Sequence, residues 1–131
     1  MKNIRNYGMV TGRLTADPDV RVNADGSRKV RFTVAVQNSY ADKDGKRGSQ
    51  FLPLEAFISA DRSGDGAYGC INGGDLVSCS YTVNNNNYTD RHGQKVYGLV
   101  LLVSEIALLE TKASKAARRA RANTNSNTSA A

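Results

Sequence analysis

The chain has 131 residues, 18 Lys or Arg against 12 Asp or Glu, and a formal net charge of +6. That length suits one domain with a real hydrophobic core and excludes two large ones, and its best apolar run, Leu99 to Val103, is far too short to span a membrane. The opening Met1-Lys2-Asn3-Ile4-Arg5-Asn6 has no apolar signal-peptide core, so a cytoplasmic protein is expected, with Cys70 and Cys79 as free thiols.

In chain order, Ile4 to Leu14 reads as a weak first strand ending in Gly12-Arg13-Leu14. Asp17-Pro18 and Asp25-Gly26 are turn signals flanking a short segment around Val20 and Val22. Val30, Phe32, Val34 and Val36 alternate with Arg31, Thr33, Ala35 and Gln37, the pattern of a half-buried strand. Residues 39–50 form a charged hairpin loop, and Phe51 to Ile58 is a third strand. Residues 61–73 are glycine-rich and hold at most a short helix. Gly74-Asp75 opens a fourth strand through Val83, and Asn84 to Asn87 and Asp90-Arg91-His92-Gly93 frame the next hairpin. Gln94 to Leu109 is a long final strand, and no internal repeat is evident.

Five strands with one short helical connection predict an all-β domain over 1–111, an OB-fold five-stranded Greek-key barrel. A β-sandwich is the alternative, though it usually needs more strands. Residues 112–131 are a basic, Ala/Asn-rich tail. Lys112 to Ala122 has helix propensity without a large apolar face, and Asn123 to Ala131 is polar and of low complexity, so the tail is expected to be partly helical or disordered. The charge divides with the composition. Residues 1–111 carry 13 basic and 12 acidic groups, whereas the tail carries five cations, Lys112, Lys115, Arg118, Arg119 and Arg121, and no acid.

In the third strand Leu52, Leu54, Ala56 and Ile58 make an apolar core face, which puts Phe51 and Phe57 on the other side with Pro53 and Glu55. Two aromatics on a polar face are either a stacking platform or a packing surface for a loop or partner subunit; parity leaves both open. Tyr40 and Tyr88 sit in polar settings near the two hairpin loops. Exposed aromatics among charged loops suit binding of nucleic-acid strands regardless of sequence, since every base has a π-face.

Here the chain resembles the bacterial-type single-stranded DNA-binding proteins, a homotetrameric OB-fold family. The resemblance lies in Gly12-Arg13-Leu14-Thr15-Ala16-Asp17-Pro18-Asp19-Val20-Arg21, Val30 to Val36, Gly74-Asp75-Leu76-Val77 and Tyr88 to Tyr97, and it extends over residues 4–109. It implies binding of single-stranded DNA without sequence preference, in replication, recombination or repair, with base stacking on Tyr40, Phe51, Phe57 and Tyr88. It also implies a homotetramer, an arrangement the doubly apolar run Leu99 to Val103 favours. Among basic residues, Arg31, on the face opposite Phe32, Lys43, Lys46 and Arg47 in the loop after Tyr40, and Arg91 are the expected phosphate contacts. The five tail cations are expected to add a second electrostatic contact.

Three departures stand out. There is no Trp, so Tyr and Phe take its place at the stacking positions. The stretch before Tyr88 is Asn84-Asn85-Asn86-Asn87 rather than basic. The sequence ends Thr128-Ser129-Ala130-Ala131 behind a basic segment, so recruitment of replication proteins through an acidic tip is not expected, and a phage- or plasmid-borne copy would suit that ending. An OB-fold RNA binder, or a protein-interaction module that lost strand binding, are the rival readings.

No enzyme, cofactor or metal is expected. Gly64-Asp65-Gly66-Ala67-Tyr68-Gly69 matches a dinucleotide fingerprint literally but lacks the βαβ unit that gives it meaning. Asp42-Lys43-Asp44-Gly45 hints at a calcium loop, yet Pro53 stands where the bidentate Glu is needed, so it reads as a turn. His92 is the only histidine, and two cysteines lack further ligands for zinc.

Overall fold

The computed structural model of the chain describes residues 4–110 and 112–129, apart from the side chains of Lys112 and of residues 122–129. Its strands are β1 (Gly8–Leu14), β2 (Asp19–Val22), β3 (Arg28–Gln37), β4 (Ser49–Ile58), β5 (Leu76–Asn85), β6 (Tyr88–Thr89), β7 (Lys95–Val96) and β8 (Leu99–Leu108); a 3-10 turn, Gly66–Gly69, lies between β4 and β5, and one helix, α1 (Lys112–Ser129), follows β8.

Alternation decides the longest pairing. β3 and β4 run antiparallel along their whole length, from Arg28 opposite Ile58 to Gln37 opposite Ser49. Val30, Phe32 and Val34 therefore share a face with Leu54, Ala56 and Ile58, and all six are buried. β5 pairs with β1 and β8, and β4 meets β8 in a short parallel contact at Leu54–Leu101 and Glu55–Leu102. β1 then reaches β3 through Arg13–Ala35 and Leu14–Val34, which closes the barrel. This is the expected OB-fold, with β2 as a short extension along the outside of β3.

Gly12 permits the closure. A Cβ there would lie 2.2 Å from the Ala35 carbonyl oxygen, so the strands approach too closely for any side chain. Val10, Leu14, Ile71, Val77 and Cys79 complete the core. Burial pushes the Cys79 thiol up to about 11, so it behaves as a small hydrophobe. The glycine-rich connection forms only the 3-10 turn, whose Tyr68 ring packs 6.2 Å from that of Phe32. Arg28 holds the same connection from below, pairing with Asp65 at 3.0 Å and donating to the carbonyls of Arg62 and Gly64.

Two boundaries differ from the sequence reading. The final strand is not continuous: it breaks at Tyr97-Gly98, where the Gly98 carbonyl accepts the Asn86 N–H and a Cβ on Gly98 would sit 3.1 Å from the Asn86 oxygen. The crossing of two backbones splits the strand into β7 in the hairpin arm and β8 in the barrel. The helix runs past Ala122 to Ser129.

Candidate nucleic-acid interface

Phe51 and Phe57 stand on the outer face of β4, 64% and 61% exposed, as parity requires once Leu54, Ala56 and Ile58 fill the core. Phe51 lies opposite Ala35 and Phe57 opposite Lys29. Six residues of strand put them roughly 20 Å apart on one rigid surface.

Two arms extend from the barrel, residues 38–48 between β3 and β4 and residues 86–98 between β5 and β8, and they share one local design. In the first, Asp42 Oδ1 accepts the N–H groups of Asp44 and Lys46, and the Asp42 N–H donates to the Lys46 carbonyl. In the second, Asp90 Oδ1 accepts the N–H groups of His92 and Gln94, and the Asp90 N–H donates to the Gln94 carbonyl. Gly45 and Gly93 both take a φ of 78°, which these turns require. Each turn carries a tyrosine two residues before its Asp and a cation one residue after: Tyr40 and Lys43 in one, Tyr88 and Arg91 in the other. This Tyr-x-Asp-basic-x-Gly correspondence is a local repetition that a search for long repeats passes over. Tyr40 and Tyr88 are 64% and 56% exposed.

The cations fall into three groups. Lys43, Lys46, Arg47 and Arg91 are exposed and form no ion pair among the described residues. Arg31 lies on the outer face as expected but pairs with Glu55 at 2.9 Å, and Lys29 reaches the other Glu55 oxygen at 3.3 Å. In the tail, Lys115 and Arg118 turn back onto the barrel. Both pair with the fully buried Asp75 at 2.6 Å, and Arg118 also pairs with Glu110 at 3.2 Å. Arg119 and Arg121 are exposed, and the Lys112 side chain lies outside the described residues.

This docking has a local logic. Gly74, at φ +88°, turns the chain ahead of Asp75, and a Cβ there would meet Arg118 Nη1 at 2.7 Å. Burial raises the Asp75 pKa, but the Lys115 hydrogen bond, the Asn72 N–H and the charges of Lys115 and Arg118 outweigh it, so the carboxyl titrates below its ordinary value. Glu110 is lowered chiefly by the Leu76 N–H it accepts, with Arg118 and Arg13 assisting. Without these acids α1 would be a poor helix, since its first turn has no acidic residue and its last turn no basic one, the reverse of what the helix dipole favours.

Exposed apolar side chains also lie outside the expected stacking set. Tyr97 and Leu99, 75% and 72% exposed, line a shallow hollow with Asn85, Asn87 and Gly98 at the root of the second arm. Because Tyr88 pairs with Val96, Tyr97 takes the opposite face of that arm, a placement that strand parity contains once the β6–β7 register is known. Met9, on the outer face of β1, is 62% exposed.

The closed five-strand barrel, with aromatic side chains exposed on β4 and on two arms, is the fold that the sequence resemblance implies. Comparison with known sequences sharpens this. The family model described as the single-strand binding protein family matches residues 5–109, and the chain belongs to that family. It is 28% identical over 120 residues to a single-stranded DNA-binding protein of Enterococcus faecalis, covering 86% of this chain and 58% of that protein. It is 28% identical over 107 residues to single-stranded DNA-binding protein 1 of Staphylococcus aureus, covering 82% and 67%. It is 25% identical to single-stranded DNA-binding protein A of Bacillus subtilis, covering 82% and 60%. The chain thus spans about three-fifths of the length of these relatives.

Proposed function

We propose that the protein binds single-stranded DNA without sequence preference, as a non-enzymatic coat that protects strands exposed in replication, recombination or repair in the bacterial cytoplasm. The observation that carries this reading is the exposure of all four aromatics, Tyr40, Phe51, Phe57 and Tyr88, on one face and its two arms. Each base stacked on an aromatic contributes about 1–3 kcal/mol, and stacking works for any base. Lys43, Lys46, Arg47 and Arg91, lacking internal partners among the described residues, supply phosphate contacts beside the tyrosines. Arg119 and Arg121 project from α1 and add to them, while Lys115 and Arg118 serve chiefly to hold the helix.

The working unit is a homotetramer in this reading. β1 pairs with β3 only at Arg13 and Leu14, with Gly12 packed against Ala35, so one edge of residues 8–11 is open to a second copy. The outer face beside it carries Met9, together with Val100 and Leu102, which remain half-exposed on the side of β8 away from the core.

The test is titration with poly(dT) at several salt concentrations, followed by tyrosine quenching or anisotropy, with an equal-length RNA in competition. Tight binding that weakens with salt, with DNA preferred, is the expected result. Absence of binding at low salt overturns the reading, and a preference for RNA reassigns the ligand. Light scattering after size exclusion checks the tetramer, which Met9→Glu should break into smaller species.

A further inference from the structure

Glu55 is placed where a strand binder has least use for a carboxylate. It stands on the outer face of β4 between Phe51 and Phe57, two residues from the latter, directly opposite Arg31 in the β3–β4 register. Its two oxygens are divided between two cations: Oε1 accepts Arg31 Nε at 2.9 Å and Oε2 meets Lys29 Nζ at 3.3 Å. Lys29 is itself the cross-strand neighbour of Phe57, so the pair of cations flanks the ring on which a base would stack. Glu55 is largely covered, with 17% of its side chain exposed, whereas Lys29 and Arg31 keep 43% and 48% open to solvent. A hollow opens on the Arg31 and Glu55 side of the trio, lined also by Thr15, Asp17, Thr33 and Pro53. A carboxylate with two cations on its oxygens, at the mouth of a hollow next to an aromatic ring, has the form of a phosphate site occupied from within.

We propose that Glu55 is an internal stand-in for a DNA phosphate: it holds Lys29 and Arg31 in place in the free protein and yields them to a backbone phosphate when a base stacks on Phe57. The proposal rests on the single-strand reading above and adds a regulator to it. Its first consequence is electrostatic. The trio has a net charge of +1, and neutralising Glu55 raises it to +2 on the face that meets the strand. By counterion release, one additional unit of charge steepens the log K against log salt slope by about 0.7 for a single strand, which corresponds to roughly fourfold tighter binding near 0.15 M salt. Its second consequence is local: the steeper slope must pass through Lys29 and Arg31, because losing a carboxylate relieves repulsion whether or not they are present, but only a freed cation releases a counterion from the strand.

The experiment measures dT-oligomer affinity against salt for the full chain, E55Q, K29Q/R31Q and the triple variant. E55Q is expected to bind roughly fourfold tighter, with a steeper slope. The same substitution in the K29Q/R31Q background should leave the salt slope unchanged, whatever affinity it gains from removing a negative charge. Glu55→Thr, whose β-branched side chain suits a strand, is a second neutral variant with the same expectation. If E55Q and Glu55→Thr both bind as the unaltered protein does, or if the steeper slope persists without Lys29 and Arg31, the exchange is overturned while single-strand binding stands. If the unaltered protein does not bind dT at any salt, the functional reading itself fails, and the exchange falls with it.

Discussion

An aromatic ring on a β-strand costs little to hold in place, since it has two rotatable bonds and the strand fixes their origin; its contribution is decided by what covers it. Phe32 is covered by Tyr68 and the core, and it stabilises the fold. Phe57 is not covered, although it sits on the strand paired with that of Phe32. Tyr40→Ala and Tyr88→Ala should each weaken dT binding by about 1–3 kcal/mol, a factor of five to 150, while the melting temperature stays within a degree or two. Equal affinity in isothermal titration would remove that tyrosine from the interface. The opposite signature belongs to the inner side of the same sheet. Leu54 is 1% exposed, and Leu54→Ala should cost about 2–5 kcal/mol in urea unfolding, with the affinity of the remaining folded protein unchanged. Parity made both assignments legible in the sequence, because the apolar run Leu52, Leu54, Ala56 and Ile58 leaves only one face for Phe51 and Phe57. The trio of Lys29, Arg31 and Glu55 was not legible, because it needs the register of two strands as well as their parity.

Among the elements, α1 departs furthest from what its sequence suggests. Its composition reads as a basic tail, partly helical or disordered, whose five cations would contact a strand, yet Lys115 and Arg118 anchor it to Asp75 and Glu110. Lys115 also donates to the Cys70 carbonyl and to Asn72 Oδ1, so the helix is fastened to the turn that precedes β5. Both acids titrate below their ordinary values in the folded protein. A lowered native value means the stabilisation is fully present above the unfolded values near pH 4 and is lost as pH falls through the native ones. Far-UV circular dichroism at 222 nm should therefore hold from pH 7 to about pH 4 and then lose its helical part below that, as an isolated helix of this length and charge arrangement is marginal. Asp75→Asn should lower the helical signal already at pH 7. A signal unchanged in the variant and in acid would show that α1 is held by something other than these pairs. The anchor was hidden in the sequence because Asp75 and Lys115 are separated by the whole of the second hairpin arm and β8.

At the scale of the molecule, charge and surface divide the labour. The barrel is nearly neutral, and among the described residues most of the cations without an ion pair, Lys43, Lys46, Arg47, Arg91 and Lys95, lie on the arms. Of the tail's five cations two are spent on docking, so the tail contributes less to a strand than its count implies. Arg119→Ala with Arg121→Ala should flatten the salt slope by about 1.4, the yield of two phosphate contacts on a single strand. An unchanged slope would leave α1 a purely structural element. Replacing all five tail cations is the companion test: a slope flattened by about 3.5 rather than 1.4 would mean the strand displaces the helix from Asp75.

The sequence by itself determined the all-β barrel, its inner and outer faces and the aromatic positions, because period-two alternation and turn residues act over a few neighbours and are written locally. It also showed where the positive charge lies. Only the tertiary structure decided what that charge does, since each outcome depends on residues far apart in the chain. Gly12 meeting Ala35 closes the barrel, Glu55 occupies Lys29 and Arg31 across the β3–β4 ladder, and buried Asp75 turns two tail cations inward. A charge finds its partner by distance in space, and that distance exists only once the barrel has formed.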